Sequence, residues 1–110
     1  MQSDNEVGPR RLVWSDKARR DFQEIIAYIA ERNPVAAARV ADRIDQMARN
    51  LAAIPTGRRG RVSGTYEKTI PGLPYLIAYA LDATEAGDEV LAVLRVIHGS
   101  RNWRAETWPE

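Results

Sequence analysis

The sequence predicts an α+β fold in which an antiparallel helical hairpin packs on one face of a small, mostly antiparallel sheet, in the order β-α-α-β-β-β. Two observations predict it. Apolar residues recur at helical spacing along two long segments of the first half, and short apolar or β-branched runs fill the second half. Each helical stripe needs an apolar surface to cover, and the strands supply that surface.

The first two elements are a short strand and a helix. Residues 11–14 are strand-like, and Ser15 is a good N-cap for a helix that we expect to end near Arg32. Asp16 suits the positive end of that helix. Its apolar stripe consists of Ala18, Phe22, Ile25, Ile26 and Ile29.

A second helix follows after very little linker. Asn33 can cap it, and Pro34 fits its first turn, where the missing N–H costs nothing. Residues 55–57, Pro-Thr-Gly, end it. Two amphipathic helices joined so closely must fold back on each other as a hairpin. The second stripe consists of Val40, Ile44, Met47, Ala48, Leu51 and Ile54.

The remaining elements are predicted as strands. Residues 62–70 are polar and β-branched, and Pro71-Gly72 fits the centre of a type II turn. Residues 75–81 are apolar on both faces, as in a central strand, and residues 89–98 form another mostly apolar run. Both runs are shorter than most helices and rich in β-branched or aromatic residues, which favours strands.

Length and composition bound the class of protein. The 110 residues fit one domain, which we place at residues 11–110 after a flexible lead-in of residues 1–10. There is no cysteine, which excludes disulfides and thiolate metal sites and fits a reducing cytoplasm. No apolar run is long enough to span a membrane, and the acidic first ten residues do not fit a signal peptide.

The net charge of +1 hides an uneven distribution. Basic residues concentrate between positions 58 and 68, and acidic residues between positions 82 and 89. The basic stretch predicts either a surface for an anionic partner or a solvated loop, and the sequence leaves both open. The basic residues are Arg58, Arg59, Arg61 and Lys68, and the acidic ones are Asp82, Glu85, Asp88 and Glu89.

The residues suggest little chemistry beyond metal-free acid–base catalysis. His98 is the single histidine, so we expect no metal site, and no phosphate-binding or nucleotide-binding motif predicts a cofactor. RNA could be cut through its own 2′-hydroxyl with Glu67 as base, His98 as acid and Arg61 or Arg101 stabilising the phosphorane. The alternative is that His98 is a strand-end residue bonded to the backbone.

Three further residues have two interpretations each. Arg95 interrupts an apolar strand, so we expect it to form an ion pair or to pack its stem on the sheet. Trp103 and Trp108 could stack on bases, or they could fix the C-terminal segment to the core.

The order and spacing of several motifs resemble the RelE/ParE toxin superfamily over residues 11–108. The motifs are LVWS at 12–15, YIA at 28–30, NPVAA at 33–37, GRRGRV at 57–62, IPGLPY at 70–75 and VLRVIHGSRNW at 93–103. The resemblance implies a toxin neutralised by a cognate antitoxin, which folds on binding over the helical hairpin and the sheet edge. It also implies that operator DNA is bound only through the antitoxin.

The resemblance leaves two targets. RelE-like members cut messenger RNA at the ribosome, whereas ParE-like members poison DNA gyrase. Nuclease members tend to place a basic residue on the strand at residues 75–81, and here that strand is uncharged. This difference favours a gyrase inhibitor over a ribosome-dependent, metal-free endoribonuclease. The target-contacting candidates are Arg58, Arg59, Arg61, Lys68, His98, Arg101 and Trp103.

Two other functions remain as alternatives. One is a toxin homologue that has lost its activity. The other is a DNA-binding regulator, because a helical hairpin near arginines can mimic a helix-turn-helix. Both helices are long, however, and their stripes indicate packing on a sheet.

Overall fold

The computed structural model describes residues 10–99. The strands form one five-stranded sheet in the order β1-β5-β4-β3-β2, in which β1 is parallel to β5 and the other pairs are antiparallel. The predicted α+β class, with two helices on a mostly antiparallel sheet, is confirmed. In chain order the elements are β1 (Arg11–Trp14), α1 (Asp16–Ala30), α2 (Pro34–Ala53), β2 (Arg58–Arg59), β3 (Tyr66–Thr69), β4 (Tyr75–Ala83) and β5 (Glu89–His98).

Both helices begin at the predicted caps. The Ser15 hydroxyl accepts a hydrogen bond from the Ala18 N–H at 3.0 Å, and the Asn33 side chain accepts one from the Ala36 N–H at 3.0 Å. α1 ends at Ala30, before the predicted Arg32. The early end follows from Asn33, which takes an extended conformation (φ −154°) to cap α2, so the chain must leave the helix ahead of it.

The prediction of one strand over residues 62–70 is wrong at its start. Residues before Tyr66 form a tight loop, in which the Gly60 N–H donates to the Thr65 carbonyl at 2.9 Å and Gly64 has φ +84°. The sequence also gave no sign of β2, because a two-residue edge strand is too short to show a period. The predicted turn after β3 is confirmed, since Gly72 has φ +81° and the Leu73 N–H donates to the Ile70 carbonyl.

Apolar side chains cover both faces of the sheet at β4. The helices pack on one face, called here the helix face, over a core that includes Ile77 and Tyr79 of β4. On the opposite face, Leu76 and Ala78 form a smaller cluster with Ile97, against which Val62 packs. Successive β4 residues therefore alternate between the two faces, which fixes where the paired residues of β3 and β5 project.

β4 is longer than the predicted strand of residues 75–81, and the predicted part of it is uncharged. It extends to Ala83 and includes one charged residue, Asp82, near its exposed end. Of the predicted lead-in, the described part contains only Arg10, whose N–H donates to the Ala52 carbonyl at 3.0 Å. Within residues 10–99, neither helix combines the length and apolar character needed to cross a membrane.

Candidate functional site

The basic stretch folds into a loop at the β2 edge of the sheet, called here the arginine loop (residues 57–65). Gly57 begins it with φ +135°, and a Cβ at this position would lie 2.8 Å from the Glu67 carbonyl oxygen. The buried Tyr79 hydroxyl donates a 2.5 Å hydrogen bond to the Thr56 carbonyl just before the loop. Burial raises the pKa of this phenol above its usual value of 10.0, so the hydroxyl remains a donor at neutral pH. The start of the loop is thus fixed against β3 and β4.

Glu67 fixes the middle of the arginine loop. Its carboxylate is almost fully buried, with 3% of the side chain exposed. One carboxylate oxygen accepts a hydrogen bond from the Arg61 backbone N–H at 3.0 Å and lies 3.2 Å from the Arg61 Nε. The other oxygen lies 3.9 Å from an Arg58 guanidinium nitrogen. The residue proposed as a general base therefore holds the loop in place.

Strand register divides the basic residues between the two faces of the sheet. Arg58 pairs with Glu67, so both project away from the helices. Arg59 pairs with Tyr66, which belongs to the helix-face core. Lys68 pairs with Ile77 and also projects to the helix face. The stretch thus forms a basic edge with side chains on both faces of the sheet.

His98 lies at the far end of β5 and on the opposite face from Glu67. It pairs with Tyr75, and the two rings meet edge to face with centroids 5.6 Å apart. Tyr75 packs on the helix-face core, whereas Glu67 pairs with Ala78 on the other face. Glu67 and His98 lie on strands two positions apart in the sheet, and they are offset by three residues along the strand direction. Their Cα atoms are therefore roughly 14 Å apart.

The structure therefore brings Arg61 to Glu67 but does not bring Glu67 to His98. The remaining candidates, Arg101 and Trp103, lie outside the described residues, as does Trp108. Within residues 10–99, no group of three or more histidine, cysteine, aspartate or glutamate side chains could hold a metal ion.

Of the two interpretations of Arg95, an ion pair or a stem packed on the sheet, the structure shows an ion pair, and its partner is Asp21 of α1. The guanidinium donates two hydrogen bonds to the Asp21 carboxylate, at 2.7 and 3.0 Å, and the Val96 N–H donates a third at 3.0 Å. The hydrogen bonds that Arg95 donates to Asp21 raise the pKa of Arg95, against the opposing effect of burial. The sequence signal was the lone arginine in an apolar strand, but that signal did not identify Asp21.

A cleft that the sequence did not predict lies where β1 leads into α1, beside α2. Its volume is about 260 Å³. The Trp14 and Phe22 rings form part of its wall and meet edge to face, with centroids 5.7 Å apart. Phe22 belonged to the predicted apolar stripe of the first helix and Trp14 to the predicted first strand, and both are half-buried. The lining residues are Trp14, Arg19, Phe22, Gln23 and Asp45.

Comparisons with known proteins agree with this fold. Two solved toxin–antitoxin systems are similar in structure: the chromosomal ParDE system of Pseudomonas aeruginosa and the RelBE2 complex of Mycobacterium tuberculosis. The first has a TM-score of 0.72 at 19% identity, covering 81% of this chain and 95% of that chain. The second has a TM-score of 0.59 at 22% identity, covering 86% of this chain and 97% of that chain. At these identities the likeness concerns the fold alone.

Sequence comparisons identify the family. Toxin Y4kP of Sinorhizobium fredii, so named on a putative basis, is 36% identical over 95 residues, which cover 86% of this chain and 93% of that protein. Toxin RelE2 of Caulobacter vibrioides is 32% identical over 92 residues, covering 83% and 97%. The model of the ParE toxin of the type II toxin–antitoxin system parDE matches residues 12–103. The chain therefore belongs to the ParE toxin family of type II toxin–antitoxin systems.

Proposed function

We propose that this toxin inhibits DNA gyrase by binding it in the cytoplasm, without catalysing a reaction. Membership of the ParE family supports this target, because the ParE-like branch is the one that poisons gyrase. The observation that carries the proposal is the separation of Glu67 from His98 on opposite faces of the sheet. A general base and a general acid must both reach one scissile phosphate, and these two side chains project away from each other.

The proposed contact surface for gyrase is the basic edge formed by β2 and the arginine loop. The Arg58 and Arg59 side chains are exposed there, and Arg58 is 74% exposed. Exposed guanidinium groups at a sheet edge can make paired hydrogen bonds to carboxylates of a protein surface. Arg61, Lys68, His98, Arg101 and Trp103 remain further candidates for contacts with the target.

We also propose that a cognate antitoxin neutralises this toxin by covering the helical hairpin and a sheet edge. The support is the fold shared with two toxins whose structures belong to toxin–antitoxin systems. In this proposal, operator DNA is bound only through the antitoxin.

A supercoiling assay with purified gyrase and purified toxin tests the target. We expect the wild-type toxin to block supercoiling and Arg59→Glu to weaken the block about tenfold, since reversing one interfacial charge costs roughly that much affinity. Arg39→Glu makes the same charge change at an exposed position of α2 and should leave inhibition unchanged. Normal supercoiling in the presence of excess wild-type toxin would contradict the proposal.

A second candidate function is ribosome-dependent cleavage of messenger RNA, favoured by the similarity to a protein named toxin RelE2. Its residues would be Glu67, His98, Arg61 and Arg101. It predicts message cleavage that resists chelators and disappears in His98→Ala. Mapping of transcript ends in cells arrested by the toxin separates the two functions, because a gyrase inhibitor leaves transcripts uncut.

A further inference from the structure

Three apolar side chains on the face opposite the helices are almost completely buried, although both helices pack on the other face. They are Leu76 (4% exposed), Ala78 (0%) and Ile97 (5%), called here the apolar patch. Within residues 10–99, the partly buried apolar side chain that packs against them is Val62 of the arginine loop. A fully buried residue contacts roughly 6–12 others, and one valine supplies only a small part of that number. The apolar patch therefore requires further cover.

Burial on this face is confined to one end of it. Val13 of β1 projects to the same face as the apolar patch, because Leu12 and Trp14 on either side of it belong to the helix-face core. Val13 lies beside the first half of β5 and is 40% exposed. The residues that complete the cover thus lie near the second half of β5, and they leave the β1 side of the face open.

The chain leaves the sheet at the covered end. The Gly99 N–H donates to the Pro74 carbonyl at 2.7 Å, which places Gly99 next to the start of β4. From the strand register, the large members of the apolar patch lie within roughly 8 Å of Gly99, whereas Val13 is roughly 24 Å away. Trp103 follows Gly99 by four residues, so an extended chain places it at most roughly 14 Å from Gly99. Trp103 can reach the apolar patch but not Val13.

The sequence of residues 100–110, SRNWRAETWPE, suits a segment that covers an apolar surface. A buried tryptophan removes roughly 150–250 Å² of surface from water, enough to cover a leucine and an isoleucine side by side. Most other residues of the segment are polar or charged and can face water. Trp108 is nine residues beyond Gly99 and can reach most of the face, so the confined burial favours Trp103.

We propose that residues 100–110 cross the face opposite the helices and that the Trp103 indole packs on the apolar patch. In this position Trp103 completes the core of the sheet, which removes it from the residues expected to contact the target or to stack on bases. Glu67 pairs with Ala78 on the same face, so the segment also keeps an RNA strand away from that carboxylate. The proposal holds whether or not gyrase is the target.

A double-mutant cycle in the full-length chain tests the contact. Trp103→Ala and Ile97→Ala should each lower the urea concentration at the midpoint of unfolding. Because the two side chains contact each other, the loss in the double variant should be clearly smaller than the sum of the two single losses. Val13→Ala, at the open end of the same face, is the control, and its loss should add to that of Trp103→Ala. Additive losses for Trp103→Ala and Ile97→Ala would overturn the proposal.

Acrylamide quenching of fluorescence gives a second readout. Trp14→Phe and Trp108→Phe together leave Trp103 as the single tryptophan. Quenching should be much weaker in the folded protein than in urea. Adding Ile97→Ala should strengthen the quenching of the folded protein, and adding Val13→Ala should not. Equal quenching in the folded and unfolded states would overturn the proposal. Protection that appears only at high toxin concentration would overturn it in favour of a second copy as the cover.

RNA binding separates this role of Trp103 from base stacking. Fluorescence anisotropy with a short single-stranded RNA oligonucleotide measures the Kd of wild type and of Trp103→Ala. We expect Trp103→Ala to bind the oligonucleotide at least as tightly as wild type, because it uncovers the face. A stacked base contributes roughly 1–3 kcal/mol, so a Kd raised about tenfold or more would mean that Trp103 stacks on RNA and would overturn the proposal.

Discussion

An arginine–carboxylate contact stabilises each edge of the sheet, but the two contacts differ in how far apart in the sequence their residues lie. At the β1 edge, where β5 extends past the end of β1, Asp21 of α1 receives two hydrogen bonds from Arg95 and one from the Val96 backbone. These contacts join residues 74 and 75 positions apart in the sequence. At the β2 edge, Glu67 receives its backbone hydrogen bond from Arg61, only six positions away. The first contact joins a helix to the sheet, whereas the second closes a loop on its neighbouring strand.

This difference predicts different consequences for stability and for function. A contact between distant elements is formed only in the folded chain, so its loss should lower the free energy of unfolding of the whole domain. A contact within a loop should mainly determine the positions of the arginine side chains on that loop. We therefore expect the β1 edge to dominate stability and the β2 edge to dominate binding to the target.

The largest effect is expected from Asp21→Ala. It leaves the Arg95 guanidinium, whose side chain is 24% exposed, and the Val96 N–H without their partner. Breaking a largely buried pair from one side should lower the free energy of unfolding by about 3 kcal/mol. Urea denaturation measures this loss, and Asp42→Ala, at an exposed position of α2, should stay within about 0.5 kcal/mol of wild type. A loss below about 1 kcal/mol in Asp21→Ala would remove the basis for the comparison.

Gly57→Ala should have the next largest effect, at the β2 edge. The added Cβ would lie 2.8 Å from the Glu67 carbonyl oxygen and 2.9 Å from the Tyr79 hydroxyl, on a backbone with φ +135°. We expect a loss of about 2 kcal/mol in the free energy of unfolding, from steric overlap added to backbone strain.

Gly64→Ala is the matched control for Gly57→Ala. It also has a positive φ, +84°, but nothing lies within 4 Å of its added Cβ. It should lose only about 1 kcal/mol, the cost of the left-handed backbone. Equal losses in the two variants would mean that packing at Gly57 contributes nothing.

The sequence predicted the parts of this molecule that depend on local chemistry. The caps Ser15 and Asn33 and the turn at Gly72 follow from the residues themselves. The helices follow from their periods, and the long strands follow from short runs rich in β-branched or aromatic residues. The division of Arg58 and Arg59 between two faces depends on strand register, where a shift of one residue exchanges the faces. No local pattern determines that register.

The cleft and the buried contacts could not be predicted from the sequence for a related reason. A helical stripe marks which residues face inward, but it does not distinguish a fully buried Ala18 from a half-buried Phe22. The sequence allowed Glu67 to be proposed as a catalytic base because it does not show the burial of this side chain or its contact with Arg61. Both arise only when the arginine loop folds onto β3. Such facts belong to tertiary structure.

Glu67→Gln tests the shorter contact and should have a smaller effect than Asp21→Ala. The amide oxygen of the new side chain can still accept from the Arg61 backbone N–H, while the ion pair with the Arg61 guanidinium is lost. We expect a decrease of about 1.5 kcal/mol in the free energy of unfolding. Glu85→Gln, in the exposed loop after β4, should have no measurable effect. If Glu67→Gln proved as costly as Asp21→Ala, the two edges would not differ in the way proposed.

The smallest effect is expected from Tyr79→Phe, which removes the hydrogen bond to the Thr56 carbonyl and should cost about 1 kcal/mol at neutral pH.

The pH dependence of the Tyr79→Phe effect is more informative than the size of that effect. Because burial raises the pKa of Tyr79 in the folded state above the usual 10.0, the stabilisation it provides is fully present below pH 10 and is lost as the pH rises through the folded-state value. The difference in free energy of unfolding between wild type and Tyr79→Phe should therefore narrow above pH 10, when urea denaturation is repeated across the alkaline range. Tyr28→Phe, at a tyrosine that is 59% exposed, is the control for the loss of a phenol hydroxyl. If the difference in free energy of unfolding between wild type and Tyr79→Phe did not change with pH, the hydroxyl would stabilise the loop only through packing.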